Sequence, residues 1–202
     1  MKQNNRIPIL SKRFHGLLPI VVDVETAGLH ADTDALLEIA AVMINMDEQG
    51  RLIRGQTVAY HVEPFIGSNL NKDALEINHI DPHHPLRFAL PEAQALHRLF
   101  AAVNEQLALT GCYRAVLVGQ NAWFDLSFLL AAAKRSHIYN MPFHTFTTFD
   151  TATLSAVTFG ESVLARAMRR AKIKFDVNEA HSAIYDAEKT AELFCLIVNK
   201  WV

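Results

Sequence analysis

Leu17-Leu18-Pro19-Ile20-Val21-Val22-Asp23-Val24 has the composition of a buried strand, with Pro19 tolerated near its start and one carboxylate where another apolar residue belongs. Working outward, Leu36 to Met46 is a second apolar run. Asp47-Glu48-Gln49-Gly50 is a turn, and Leu52 to Val62 returns as a third strand, which predicts a meander. Lys72 to Asn78 has the composition of a short helix, and the Pro-rich stretch Asp81 to Pro85 that of a loop. Ala95, Leu99, Ala102, Val103 and Leu107 recur at helical spacing between Pro91 and Leu109, and Gly111 stops that helix. Ala115 to Val118 predicts a short strand, Asn121 opens a helix to about Ser136, and His144 to Phe149 predicts a fifth strand. Helices follow over Thr151 to Val157, Ser162 to Ala171 and Ala183 to Lys200. A strand meander followed by alternating helices and strands predicts an α/β sandwich around a mixed sheet.

Bulk properties restrict the class. A chain of 202 residues, half of them apolar and 20% charged, fits one globular domain spanning residues 1–202. It has no apolar run of the ~20 residues that span a bilayer, and residues 1–15 lack the pattern of a signal peptide. Cys112 and Cys195 have no metal-ligand spacing and are expected as reduced thiols in a cytoplasmic protein. A formal net charge of −2 gives no global attraction to nucleic acid, so any such binding must come from a local basic patch and from stacking.

The chemistry is carried by carboxylates. Period-two geometry puts Asp23 and Glu25 on one face of the first strand, where two acids side by side repel unless protonated or neutralised by a cation. Asp125, in Asn121-Ala122-Trp123-Phe124-Asp125, opens a helix whose dipole favours an anion. Asp186 lies early in the last helix, five residues after His181. Taken singly, each is more simply a solvated or helix-start acid, and His181 is one of ten histidines.

In this order, Asp-x-Glu on a strand, Asn-x-x-Phe-Asp at a helix start and His-x4-Asp on the last helix resemble the DEDD exonuclease superfamily in its histidine-containing branch. Asp23-Val24-Glu25-Thr26-Ala27-Gly28, Thr33-Asp34-Ala35-Leu36-Leu37-Glu38-Ile39-Ala40-Ala41, His61-Val62-Glu63-Pro64-Phe65 and Thr148-Phe149-Asp150-Thr151-Ala152 are similar to the ribonuclease T family, as is His181 to Asn199. The resemblance runs from about Arg13 to Trp201. It implies a ribonuclease H-like exonuclease fold, with a five-stranded mixed sheet flanked by helices, and a homodimer. The implied activity is 3′→5′ trimming of single-stranded 3′ ends of RNA, in maturation and turnover of tRNA and other stable RNAs, with single-stranded DNA also accepted. Asp23, Glu25 and Asp186 would hold two Mg²⁺ ions, with Mn²⁺ able to replace them, and Asp125 would support the site directly or through water. His181, grouped with these metal-facing residues, would be the general base. Oxygen-rich ligation suits such hard cations.

The resemblance also assigns the substrate grip. Phe124 and Phe146 match phenylalanines that stack on terminal bases, a contact worth roughly 1–3 kcal/mol per base. Leu29 and Ile77 stand where the family commonly has aromatics, and Asp73 where it has a glutamate. Base discrimination is therefore expected to be weaker here, unless Trp123 contributes. Arg13 and Arg114 match a basic patch that feeds RNA to the partner subunit's site, while His15, Ala108 and Tyr139 replace its other cations. A second basic run, Arg166 to Lys174, offers phosphate contacts or simply a solvated helix face. The chain also stops earlier than the family leads one to expect. The same acids and histidine occur in proofreading DNA exonucleases and oligoribonucleases, and a catalytically dead binding module on this fold is the rival from another class.

Overall fold

β1 (Leu17–Thr26) lies at the centre of the molecule because nothing from Leu18 to Val22 can face water; that whole segment is buried. The computed structural model describes residues 9–201. Five strands form one sheet in the order β3-β2-β1-β4-β5. β2 (Leu36–Met46) and β3 (Leu52–His61) are the antiparallel meander, and β4 (Arg114–Gly119) and β5 (Phe143–Asp150) run parallel to β1. The sheet is therefore mixed, as the resemblance implied.

The helices supply two covering layers. α3 (Glu92–Thr110) and α4 (Trp123–Arg135) pack on each other and on the sheet. α7 (Ala183–Lys200) packs on β1, β2 and β3, and α5 (Thr151–Phe159) and α6 (Leu164–Ala171) pack against α7. Parallel strands need such crossovers, and a strand covered on both faces can be continuously apolar, as β1 is from Leu17 to Val22. No helix among the described residues is long and apolar enough to cross a membrane.

Most elements shift by a residue or two from expectation, α6 for instance starting at Leu164 and α5 running on to Phe159, and the larger differences are these. Asn121 does not open α4; it takes φ +62, and the helix begins at Trp123. Asp150, ending β5, accepts from the N–H groups of Asn121 (2.8 Å) and Ala122 (3.4 Å), which holds that turn out of the helix. A four-residue helix α1 (Leu10–Arg13) and a 3₁₀ turn over Pro85–Arg87 were also unforeseen, both too short to show a periodicity. α2 (Lys72–Asn78) and α7 have the expected bounds.

The loop from β1 to β2 is built around Asp34, which accepts from His30 N (3.0 Å), Thr33 Oγ1 (2.9 Å) and Asn69 Nδ2 (3.0 Å). Gly28 lies so close that a Cβ there would stand 2.0 Å from Asp34 Oδ2. The carboxylate cannot retreat without breaking those three bonds. Gly28→Ala is therefore expected to destabilise the fold by roughly 1–3 kcal/mol. In a chain of this size that lowers Tm by about 2–4 °C per kcal/mol, which calorimetry reads directly. An unchanged Tm would show that the loop yields.

Candidate active site

β1 is longer than its neighbour β4, and that mismatch creates the site. The β1–β4 pairing ends at Val21↔Val118, so the backbone beyond it leaves the shelter of the parallel strands. Asp125, in the first turn of α4, fills the gap: its Oδ1 accepts the Val24 N–H at 3.1 Å. The side chain is only 3% exposed. Gly119 permits this approach, since a Cβ there would stand 3.0 Å from Asp125 Oδ2.

The other half of the site comes from α7. Its N-cap, Ser182, makes no side-chain cap, and the preceding His181 adopts φ +65. The His181 N–H donates to Asp186 Oδ2 at 3.0 Å, closing a loop that presents the exposed imidazole beside the helix start. One ligand atom each from Glu25, His181 and Asp186 lies within 4.8 Å of the others. Asp23 stands outside that compact set. The charges of Asp125, Glu25 and Asp186 still act on it, so the expected carboxylates share one neighbourhood.

Their crowding shows in their acidities. Burial holds the Asp23 carboxyl well above the ordinary range, and the charges of Asp125, Glu25, Asp186 and Glu38 add to it. Burial, then Asp186 and Glu38, push Glu25 to about 8, against some relief from the Asn78 amide. Asp125 is raised by burial despite the hydrogen bonds it accepts, and Asp186 is raised by burial with partial relief from His181. Asp186 Oδ1 is buried and has no hydrogen-bond partner. A buried carboxylate oxygen with nothing to bond, on a residue clustered with a second acid and an imidazole, fits a divalent cation.

The sequence pattern does not single out Glu38, although the signal that flags Asp23 is there too. It interrupts the apolar run of β2, and the strand register sets it directly across from Glu25.

Beside the acids runs a groove of about 390 Å³ lined by Glu25, Leu29, Asp73, Ile77 and Phe124, among others. Leu29 and Ile77 are unusually exposed for aliphatic residues, at 77% and 59%. Phe124 serves two environments, lining the groove while packing on Phe128 with ring centroids 5.0 Å apart. Phe146 lies on β5, 91% exposed, and does not line this groove; Trp123 is also exposed and meets Phe124 edge-on at 5.9 Å. Arg13 and Arg114 are elsewhere. Arg114 pairs with Leu17 at the far end of β1, roughly 20 Å of extended chain from Asp23. Arg13 donates to the Val198 carbonyl at 3.2 Å, at the C-terminal end of α7.

Known proteins define the class first. The structure superposes on the nuclease domain of 3′hExo, a DEDDh family member, bound to rAMP, with TM-score 0.70 and 15% identity over 90% of this chain and 92% of that one. It superposes on E. coli exonuclease I in complex with a dT13 oligonucleotide with TM-score 0.68 and 17% identity, over 89% of this chain and 40% of that one. The fold is thus the ribonuclease H-like fold of the DEDD exonucleases. A family profile described as "Exonuclease" (RNase_T) matches residues 20–194. The chain is 55% identical over 199 residues to ribonuclease T of Hahella chejuensis (strain KCTC 2396), covering 98% of this chain and 91% of that one. It is 54% identical over 202 residues to ribonuclease T of Vibrio vulnificus (strain YJ016), covering 100% and 93%. The chain belongs to the ribonuclease T family and is a 3′→5′ exonuclease, a hydrolase.

The raised acidities give a signed prediction for the metal-free protein. Unfolded, Glu25 titrates near 4.5; folded, near 8, so between these values the folded state binds the extra proton. Stability contributed by that proton is full below pH ~4.5 and is lost as pH rises through ~8. In EDTA, Tm should therefore fall from pH 5 to pH 8, Glu25→Gln should flatten the slope, and Mg²⁺ should restore Tm most at the alkaline end. A Tm that rises over this range in EDTA would contradict the crowding.

Proposed function

We propose that this chain removes nucleotides one at a time from single-stranded 3′ ends of RNA, including tRNA and other stable RNAs, and also accepts single-stranded DNA. It acts as a single exonuclease domain over residues 1–202, in a cytoplasmic homodimer that uses two Mg²⁺ ions, with Mn²⁺ as a substitute. The observation that carries this is a groove, open and apolar along one wall, that leads onto the Glu25–His181–Asp186 cluster. Neighbouring folds hold dT13 in one case and rAMP in another, which supports acceptance of both sugars.

Asp23, Glu25 and Asp186 would hold the ions, with Asp125 fixed behind them on the Val24 N–H. When bound, the ions supply a water nucleophile at neutral pH and offset charge on the leaving 3′-oxygen. His181 takes the proton of the attacking water on an imidazole nitrogen. Its exposed position, outside the first turn of α7, gives the ring access to the groove mouth. Leu29, Ile77 and Phe124 pack against the terminal bases, while Asp73 offers a hydrogen-bond acceptor at the groove wall. Phe146 meets the strand outside the groove, on the exposed face of β5. Arg13 and Arg114 lie at the other end of the sheet from the acids, which supports the reading that they bind phosphates feeding the partner subunit's site rather than their own.

The test is a ladder assay on 5′-labelled RNA and DNA oligonucleotides that differ in their last base, with and without EDTA. Stepwise 3′ shortening is expected only with the divalent ion. His181→Ala should slow it by roughly 10²–10⁴-fold while leaving oligonucleotide binding intact. Differences among terminal bases should be smaller than in Leu29→Phe/Ile77→Phe, because aliphatic contacts rest on dispersion, which varies little from base to base. Activity undiminished by EDTA, or retained in His181→Ala, would overturn the reading.

A further inference from the structure

Glu38 is the middle of a row that crosses three strands. In the sheet register it pairs with Glu25 on β1 and with His61 on β3, so all three side chains share one face. Its two carboxylate oxygens have different partners. Oε1 lies 2.9 Å from His61 Nδ1, and Oε2 accepts the backbone N–H of Ala183 at 3.5 Å. Ala183 is the first residue of α7, and Ser182, the residue that should cap that helix, contributes no side-chain bond. The first N–H groups of a helix need an acceptor from outside it, and a carboxylate there also meets the positive end of the helix dipole.

The body of α7 is fastened independently. Arg54 and Thr57 of β3 reach Glu188 at 2.7 and 2.8 Å, and Asn199 exchanges two hydrogen bonds with the backbone of Leu52, each 2.8 Å long. In the first turn, with Asp186 inside it and His181 just ahead, Tyr185 accepts from the Asp176 N–H and the Ala183 side chain is buried, while Glu38 supplies the acceptor for the Ala183 N–H.

We propose that Glu38, clamped by His61, is a positioning residue: it caps α7 from across the sheet and so sets His181 and Asp186 against Glu25. The proposal rests on the reading of those three residues as the metal-facing set. It explains why an additional acid is kept in a region where acids already repel. Glu38 raises both Asp23 and Glu25, a cost that a purely structural strand residue would not impose.

The test separates the tie from the charge. Glu38→Ala removes both, Glu38→Gln keeps an acceptor for the Ala183 N–H, and Ala183→Pro removes the donor, with Ala183→Val as the control for added bulk at this buried position. Proline is tolerated at a first helical position, and Ser182 already has the extended backbone (φ −117, ψ 122) that must precede it. Mn²⁺ affinity is read by electron paramagnetic resonance and the exchange rate of the Ala183 amide by NMR. Glu38→Ala and Ala183→Pro should each weaken Mn²⁺ binding by roughly 10–100-fold, the usual cost of losing a group that orients a ligand. The double variant should lose no more than either single one. Glu38→Gln should stay near wild type, and Ala183 amide exchange should accelerate in Glu38→Ala only. Normal Mn²⁺ affinity in Ala183→Pro, additive losses in the double variant, or Glu38→Gln as damaged as Glu38→Ala would overturn the proposal. If Glu38→Ala does not fold, Ala183→Pro decides against Ala183→Val: an equal loss of Mn²⁺ affinity in both would overturn the proposal. Asp186→Asn is the reference: full Mn²⁺ affinity there would sink the metal-site reading itself, whereas amide exchange reports on the tie regardless.

Discussion

Repulsion among carboxylates at the end of β1 is the constraint on which the rest of this structure depends. Asp23, Glu25, Asp125, Asp186 and Glu38 are drawn from two strands of a buried sheet and the first turns of two helices, and the site brings them together with the imidazoles of His181 and His61. Burial raises four of these acids, neighbouring carboxylates push Asp23, Glu25 and Asp125 further, and one buried Asp186 oxygen has nothing to bond. A fold that needed only stability would not keep that arrangement. It is the arrangement of a site that becomes favourable when cations enter.

The architecture supplies the force that holds the acids in place. β1 can carry them because its other residues, buried on both faces, anchor the strand firmly in the core. β4 stops short, which frees the Val24 N–H for Asp125 and makes room for the start of α4. α7 is pinned to β3 along its length, so its first turn arrives over the end of β1. The helix starts matter electrostatically as well, since both Asp125 and Asp186 lie in first turns where the dipole favours a negative charge.

Much of this was legible in the sequence. β2, α2 and α7 have the expected bounds, because each is long enough or sharply enough punctuated to show in its composition and apolar pattern. Asp23 and Glu25 stood out because a charge in an apolar run is costly without a reason. Glu38 carried the same signal but is a single acid, and its meaning depends on a register across two strand pairs that no local pattern reveals. The start of α4 was misread because Asp150, distant in sequence, takes the N–H groups of Asn121 and Ala122. Phe124 and Phe146 look alike as exposed-or-core aromatics in sequence; only the fold separates the first, in the groove, from the second, on the open face of β5.

The central claim is that the metal-free site stores protons which divalent cations displace. Isothermal titration of Mg²⁺ or Mn²⁺ at pH 7, repeated in buffers of different ionisation enthalpy, counts those protons. With Glu25 near 8 and its neighbours also raised, about one proton or more per chain should leave on binding, and the number should decline toward zero by about pH 9. Metal binding at pH 7 with no proton release would mean that the acids are already ionised, and would contradict the claim.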